Sequence, residues 1–212
     1  MTILHDYHRS SACYRVRIAL NLKGVDYTRV AVDLVSGAQR APDYVAVSAQ
    51  GFVPMLEIDG HRLTQSLAII DYLDARGGVP LLPTDAGERA RVYAMALLIA
   101  CDIHPLNNLR VLRYLDDPLG VGKETRDDWY RHWVSAGFDA LERLSTNGTG
   151  ACAHGPFLSG DAPGLADVCL VPQMYNARRF DVDVSVYPTL VAADAAMAML
   201  DGVRAAHPDA PG

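Results

Sequence analysis

At 212 residues, with 50% hydrophobic and 21% charged residues, the chain has ordinary globular composition and enough length for one large core or two modest ones. A formal net charge of -6 at pH 7, with no basic tract interleaved with aromatics, argues against nucleic-acid binding, so any anion site has to be local. The four cysteines, Cys13, Cys101, Cys152 and Cys169, form no C-x-x-C pair and have no histidines at zinc-ligand spacing; no signal peptide opens the chain and no apolar run reaches bilayer length. A cytoplasmic protein with reduced thiols, no metal and no membrane partner is expected.

Thr2 to Tyr7 mixes β-branched, aliphatic and aromatic residues as a short strand does, and Val16, Ala19 and Leu20 then recur at helical spacing. Ser10 and Ser11 therefore fall at a helix start, flanked by Arg9, Arg15 and Arg17. A serine there caps the helix, while the unpaired N–H groups and the positive end of the macrodipole favour a nearby negative charge. Taken alone, the run is equally an ordinary serine cap beside arginines on a solvated face. The helix stops at Lys23-Gly24 and Tyr27 to Val32 reads as a second strand, giving a parallel βαβ. Met55 to Ile58, Asp59-Gly60 and His61 to Leu63 form a hairpin signal, since Asp-Gly accepts the positive φ of a two-residue turn. Ser66 then caps a helix over Leu67 to Leu73.

Gly77-Gly78-Val79-Pro80 and Pro83 make a stiff connector, and strand signals disappear after it. Three stripes at helical spacing follow: Val92, Met95, Ile99 and Ile103; Trp129, Trp133, Ala136, Ala140 and Leu144; and Leu190 to Leu200. All three are expected in the core. The glycine-rich stretch from Thr146 to Pro156 lacks the Gly-Lys-Ser/Thr ending of a phosphate loop.

A βαβ-ββα unit followed by helices, with Phe52-Val53-Pro54 before the hairpin and Gln65-Ser66 after it, resembles the cytosolic glutathione transferases over nearly the whole chain. The resemblance implies an α/β thioredoxin-like, glutathione-binding domain over residues 1–82 and an all-α domain over 88–212. Within that superfamily, Ser10-Ser11-Ala12-Cys13-Tyr14-Arg15-Val16-Arg17-Ile18-Ala19-Leu20 is similar to the zeta-class signature. Asp102 to Asn108 and Leu170 to Gln173 through Ala177-Arg178-Arg179-Phe180 are further zeta-like runs. The class implies homodimeric isomerases of maleylacetoacetate or maleylpyruvate that use glutathione catalytically. Its thiolate adds to the conjugated cis-alkene, the bond rotates in the resulting enolate, and the thiolate leaves the trans isomer. Two positions depart from the family: Ala12 replaces a cysteine, with Cys13 displaced by one place, and Gly164-Leu165-Ala166-Asp167 keeps the carboxylate of a capping box but loses its hydroxyl.

The resemblance carries roles onto particular residues. Ser10 is the thiolate-stabilising hydroxyl, with Ser11 as second candidate and either one equally a simple cap. Lowering the thiol pKa by about two units takes roughly 2.7 kcal/mol of preferential thiolate stabilisation, within reach of a charge-assisted hydrogen bond plus a helix terminus. Ala12 is counted with Ser10 and Ser11 among the glutathione-binding positions. Val53, before a cis-proline, meets the peptide part of glutathione; Gln65 and Ser66 take its γ-glutamyl carboxylate; Gln39 touches the glycyl end or is a surface glutamine. Arg15 and Arg179 are candidates for the carboxylates of a small dicarboxylate-like substrate, because arginine matches a carboxylate bidentately; Arg17 and Arg178 are left as surface residues. Asp102, His104, Asn108 and Arg110 are contributed by the helical half, Asp102 toward the partner subunit's glutathione amine, with a structural histidine as the alternative for His104. Three other functions remain open: a general conjugating or dehalogenating transferase, a thiol oxidoreductase, and a catalytically silent dimerisation module.

Overall fold

The computed structural model describes residues 1–146 and 155–210, so most of the glycine-rich stretch after Thr146, Cys152 included, lies outside the described residues. The chain divides into two units, Met1–Pro80 together with Met199–Gly212, and Leu81–Ala198.

In the first unit, strand β1 (Ile3–Asp6) leads into helix α1 (Ser11–Leu22) and strand β2 (Thr28–Ala31). A 3₁₀ turn (Ala38–Arg40) and a single helical turn α2 (Pro42–Val45) precede the hairpin of β3 (Met55–Ile58) and β4 (His61–Thr64), and helix α3 (Ser66–Ala75) follows. The sheet order is β2-β1-β3-β4, with β1 and β2 parallel and the other pairs antiparallel. This is the expected α/β layout. The hairpin turns at Asp59 and Gly60 with φ of 51° and 79°, as the Asp-Gly signal requires. Alternation along β1 buries Leu4 and Asp6 on one face and leaves Ile3 and His5 half-buried on the other. Eight consecutive residues of α1, from Cys13 to Leu20, are buried, more than one amphipathic stripe allows, because α1 packs against α3 and also against the C-terminal helix α9 (Asp201–Ala205). That contact corrects the expected boundary. The last residues belong with the first unit rather than with an all-α half running to 212, held by Asn21 donating to Gly202 O at 2.8 Å and Arg17 to Ala206 O at 2.9 Å.

In the second unit, α4 (Ala86–Leu97) runs on as a π-helical segment (Leu98–Ile103), and α5 (Leu109–Asp116), α6 (Lys123–Thr146), α7 (Leu165–Arg179) and α8 (Pro188–Ala198) follow. Val92, Met95, Ile99 and Ile103 are buried as expected. On α6 the expected stripe is rotated by one residue: Tyr130, Val134, Phe138 and Leu141 form the buried line, while Leu144 is exposed. The two tryptophans misdirect the pattern. Trp129 sits at the boundary with its indole N–H on Leu106 O at 2.9 Å, an amphipathic placement. Helix α7, buried along nearly its whole length with Asp167, Gln173 and Asn176 among its buried residues, is the centre of the unit.

The missing hydroxyl at Gly164 has a steric cause. A Cβ there would lie 2.5 Å from Ser159 Oγ and 2.8 Å from Leu81 O, whose carbonyl accepts from Leu165 N at 2.8 Å. The retained carboxylate does more than cap: Asp167 accepts from Gly164 N at 3.0 Å, Leu158 N at 2.7 Å and Ser159 N at 3.1 Å. Gly164→Ser, although it restores the family's hydroxyl, is therefore expected to destabilise the fold by about 1–3 kcal/mol, the usual cost of overpacking. A rise in thermal midpoint for this variant would refute the steric account.

Candidate active site

Every residue assigned to glutathione in the first half lies in the first unit. At the end of β1 the chain turns through Tyr7 to Ser10, with Ser10 N donating to Tyr7 O at 2.9 Å, and Ser10 becomes the N-cap of α1. Its Oγ accepts from Cys13 N at 3.3 Å. A capping hydroxyl accepts one N–H and keeps its own proton to donate, which the buried Cys13 thiol alongside or a bound anion can accept. The first turn of α1 holds no acidic residue that would oppose a negative charge. Ser10 is half-buried, whereas Ser11 is buried inside the helix packing. Beside the turn lies a cavity of about 480 Å3 lined by Asp6, Tyr7, His8, Arg29 and Ala31 to Asp33.

Cys13 is fully buried in a cluster with Val32 and Val53, against which Tyr7, Leu34 and Tyr44 pack. Burial, reinforced by the charge of Asp6, pushes its thiol well above the ordinary cysteine range. The sulfur is a small core group, not a nucleophile. The Val53–Pro54 peptide bond is cis, as the resemblance implies. The loop before it is pinned at the Phe52 carbonyl, which accepts from Tyr44 Oη at 2.8 Å and Ser48 Oγ at 3.1 Å. Burial holds the Tyr44 phenol at about 12, so it stays a donor across the physiological range.

At the start of α3 the structure corrects one expectation. Gln65, not Ser66, occupies the cap position, its side chain makes no capping bond, and Ser66 is the first helical residue. Gln65 holds φ at 67°, left-handed backbone that costs a non-glycine residue about 1–3 kcal/mol and tends to persist where a ligand site requires it. Gln65 Nε2 donates to Gln50 Oε1 at 2.7 Å, a partner the sequence analysis missed. Arg15 differs more. It is 1% exposed, with Nη1 3.5 Å from Ser66 Oγ, so it belongs with the Gln65–Ser66 end of the site rather than on an open substrate-facing surface. Gln39 is buried, and its Oε1 has no hydrogen-bond partner among the described residues. Arg17, expected at the surface, is also 1% exposed.

The remaining candidates lie in the second unit. Asp102 is exposed on the π-helical segment, whose His104 N donates to Ile99 O at 2.9 Å in the wide i,i+5 pattern. A notch at Gly137 seats that segment, since a Cβ there would fall 2.3 Å from Ile103 Cδ1. His104 is half-buried in the turn that follows. Asn108 serves as N-cap of α5, its Oδ1 accepting from Arg110 N at 3.1 Å, and the Arg110 side chain is exposed. At the end of α7, Arg179 is exposed, donates to Asn176 Oδ1 at 3.3 Å, and lies 5.6 Å and 5.8 Å from the ring centroids of Tyr175 and Phe180. Phe180 in turn stacks on Tyr130 at 3.6 Å. Asn176 was legible as an i,i+3 neighbour; the Tyr130 wall is a tertiary contact and was not. Arg178, by contrast, pairs with Asp194 at 2.7 Å. Among the described residues no group of three or more His, Cys, Asp or Glu side chains is placed to hold a metal ion, and no helix is long and apolar enough to cross a membrane.

Residues 4–81 match the family of glutathione S-transferase N-terminal domains. The chain is 50% identical over 209 residues to the maleylacetoacetate isomerase of Rhizobium meliloti (strain 1021), covering 98% of this chain and 96% of that one. Among solved structures it is similar to a holo maleylpyruvate isomerase described as a bacterial zeta-class glutathione transferase, with 43% identity, a TM-score of 0.94, and coverage of 99% and 98% of the two chains. The chain belongs to the zeta-class glutathione transferases. A second solved structure, maleylacetoacetate isomerase from Methylobacterium extorquens AM1 with bound malonate and glutathione, is 41% identical with a TM-score of 0.92, over 99% of this chain and 100% of that one. The residue at the helix start is a serine, Ser10, where a thiol oxidoreductase would need a cysteine.

Proposed function

We propose that this zeta-class transferase is a glutathione-dependent cis–trans isomerase of a maleyl keto acid, converting maleylacetoacetate or maleylpyruvate to the fumaryl isomer. The observation that carries the reading is Ser10: a half-buried hydroxyl that caps α1 at its positive end, where the first turn has no acidic residue.

The residues present fit glutathione. The orphaned oxygen of buried Gln39 suits an amide or ammonium donor, and the uncapped start of α3, with Ser66 and the buried guanidinium of Arg15, suits the γ-glutamyl carboxylate. Gln65 completes that end, and the Ala12 and Val53 backbones meet the middle of the tripeptide. Bound glutathione supplies a thiol that, once ionised, adds reversibly to the conjugated alkene and is returned unconsumed. The protein's part is to keep that sulfur anionic through Ser10 and the α1 N-terminus, and to exclude its own Cys13 from competing. Arg179, held by Asn176 and backed by aromatic rings, is assigned to a substrate carboxylate, in keeping with the malonate bound in the Methylobacterium relative. The active form is a homodimer of the cytoplasm, with Asp102 reaching the partner subunit's glutathione amine; His104, Asn108 and Arg110 support that side.

Ser10→Ala is expected to slow isomerisation roughly ten- to a hundredfold, the loss of one charge-assisted hydrogen bond of about 1.5–3 kcal/mol, while Cys13→Ala stays near the parent rate. Assays use maleylacetoacetate and maleylpyruvate in turn, with glutathione in catalytic amount. Equal losses for Ser10→Ala and Ser11→Ala, or abolished turnover in Cys13→Ala, would overturn this assignment.

A further inference from the structure

The Tyr7 to Ser10 turn is not held by its own residues alone. Arg17, fully inside the first unit, makes three directed bonds: Nη1 to Asp6 Oδ1 at 2.7 Å, Nη2 to His8 O at 3.0 Å and Nε to Ala206 O at 2.9 Å. Asp6, 2% exposed, is oriented from its other side by Arg29, whose Nε donates to Oδ2 at 2.8 Å. His8 is the middle of the turn that ends at the Ser10 cap. Its carbonyl is fixed to a guanidinium whose plane is set by the end of β1 on one side and by the C-terminal segment on the other.

We propose that Arg17 is a positioning residue for the Ser10 hydroxyl, and that the C-terminal segment through Ala206 belongs to its support. The proposal rests on the role given to Ser10 above. A guanidinium has the fork geometry for three acceptors in different directions; an ammonium is a point charge that keeps the attraction to Asp6 and gives up the directed bonds to His8 and Ala206. Those bonds constrain the turn's carbonyl, and the turn sets where Ser10 Oγ sits over the first N–H groups of α1. Asn21 ties the same C-terminal segment, but by donating to Gly202 O rather than to the turn or Asp6. It therefore separates a general loosening of α9 from a loss of Ser10 placement.

The test compares Arg17→Lys with Asn21→Ala. In the ligand-free protein, hydrogen exchange at the Cys13 amide, the donor to Ser10 Oγ, is followed by NMR; in the glutathione complex, the thiol is titrated by its ultraviolet thiolate absorbance. Arg17→Lys is expected to speed Cys13 amide exchange and raise the bound-thiol pKa by about one unit, with kcat lower by about tenfold and the KM for the maleyl substrate little changed. Asn21→Ala is expected to lower the thermal midpoint and leave amide exchange and thiol pKa at the parent values. An Arg17→Lys variant that loses thermal stability alone, with exchange and titration unchanged, overturns the proposal. If Arg17→Lys does not fold, Asp6→Asn, which still offers Arg17 an acceptor, is expected to show the same shifts reduced in size, and no shift there overturns the proposal equally. Ser10→Ala is titrated in parallel. If it leaves the thiol pKa unchanged, the Ser10 role fails and this proposal with it; if it raises the pKa while Arg17→Lys does not, the proposal alone fails.

Discussion

Replacing Asp167 with alanine is expected to destabilise the second unit by about 3–5 kcal/mol. The carboxylate has no exposure and is the acceptor for three backbone N–H groups, from Leu158, Ser159 and Gly164. Each donor orphaned in a buried setting costs about 1–3 kcal/mol, and relaxation toward water recovers part of the sum. Burial raises the carboxyl pKa, and the backbone N–H groups that donate to Asp167 pull it back down. Asp167→Asn, which keeps one acceptor oxygen, is expected to lose less than Asp167→Ala. Urea unfolding of both variants checks the order; a loss under about 1 kcal/mol for the alanine variant contradicts the account.

Asp167 also shows where sequence reasoning reaches and where it stops. Its bond to Gly164 N spans three residues and is visible as half a capping box; its bonds to Leu158 and Ser159 depend on how the preceding loop folds back, which no spacing encodes. The same division runs through the rest of the chain. Asp59-Gly60 and Ser10 are local features in which residue type nearly dictates backbone, and both were legible. Gln65 was not, because a glutamine at positive φ violates local preference and is imposed by its surroundings. On α6, hydrophobicity put the stripe on the tryptophans, whereas the buried line passes through Tyr130 and Phe138, since an indole at a boundary satisfies both media. Charge misled most. Arginines at 15 and 17 read as one for a substrate carboxylate and one for solvent, yet both are buried, because Asp6, Ser66 and two backbone carbonyls supply acceptors from elements distant in sequence.

The two arginines first paired as a substrate clamp are expected to separate in their effects. Arg15 is buried with Ser66 at the start of α3, and Arg179 is exposed at the end of α7 beside Asn176. Arg15→Ala is therefore expected to weaken glutathione binding itself. Removing a buried guanidinium from a carboxylate ligand costs about 2–4 kcal/mol, or about 30- to 1,000-fold in affinity. Arg179→Ala is expected to leave glutathione affinity within about threefold and to lower kcat/KM for maleyl substrates by about 10- to 100-fold, less than a fully desolvated pair because the side chain meets water. Conjugation of a neutral aromatic electrophile should survive in Arg179→Ala, since that substrate presents no carboxylate, and should fall in Arg15→Ala with the loss of glutathione. Calorimetry with glutathione and initial rates on the two substrate types separate the cases, with circular dichroism confirming that Arg15→Ala remains folded. Normal isomerisation by Arg179→Ala would remove it from the substrate site. Unaltered glutathione binding by Arg15→Ala would return that residue to the substrate side, against its burial beneath Ser66.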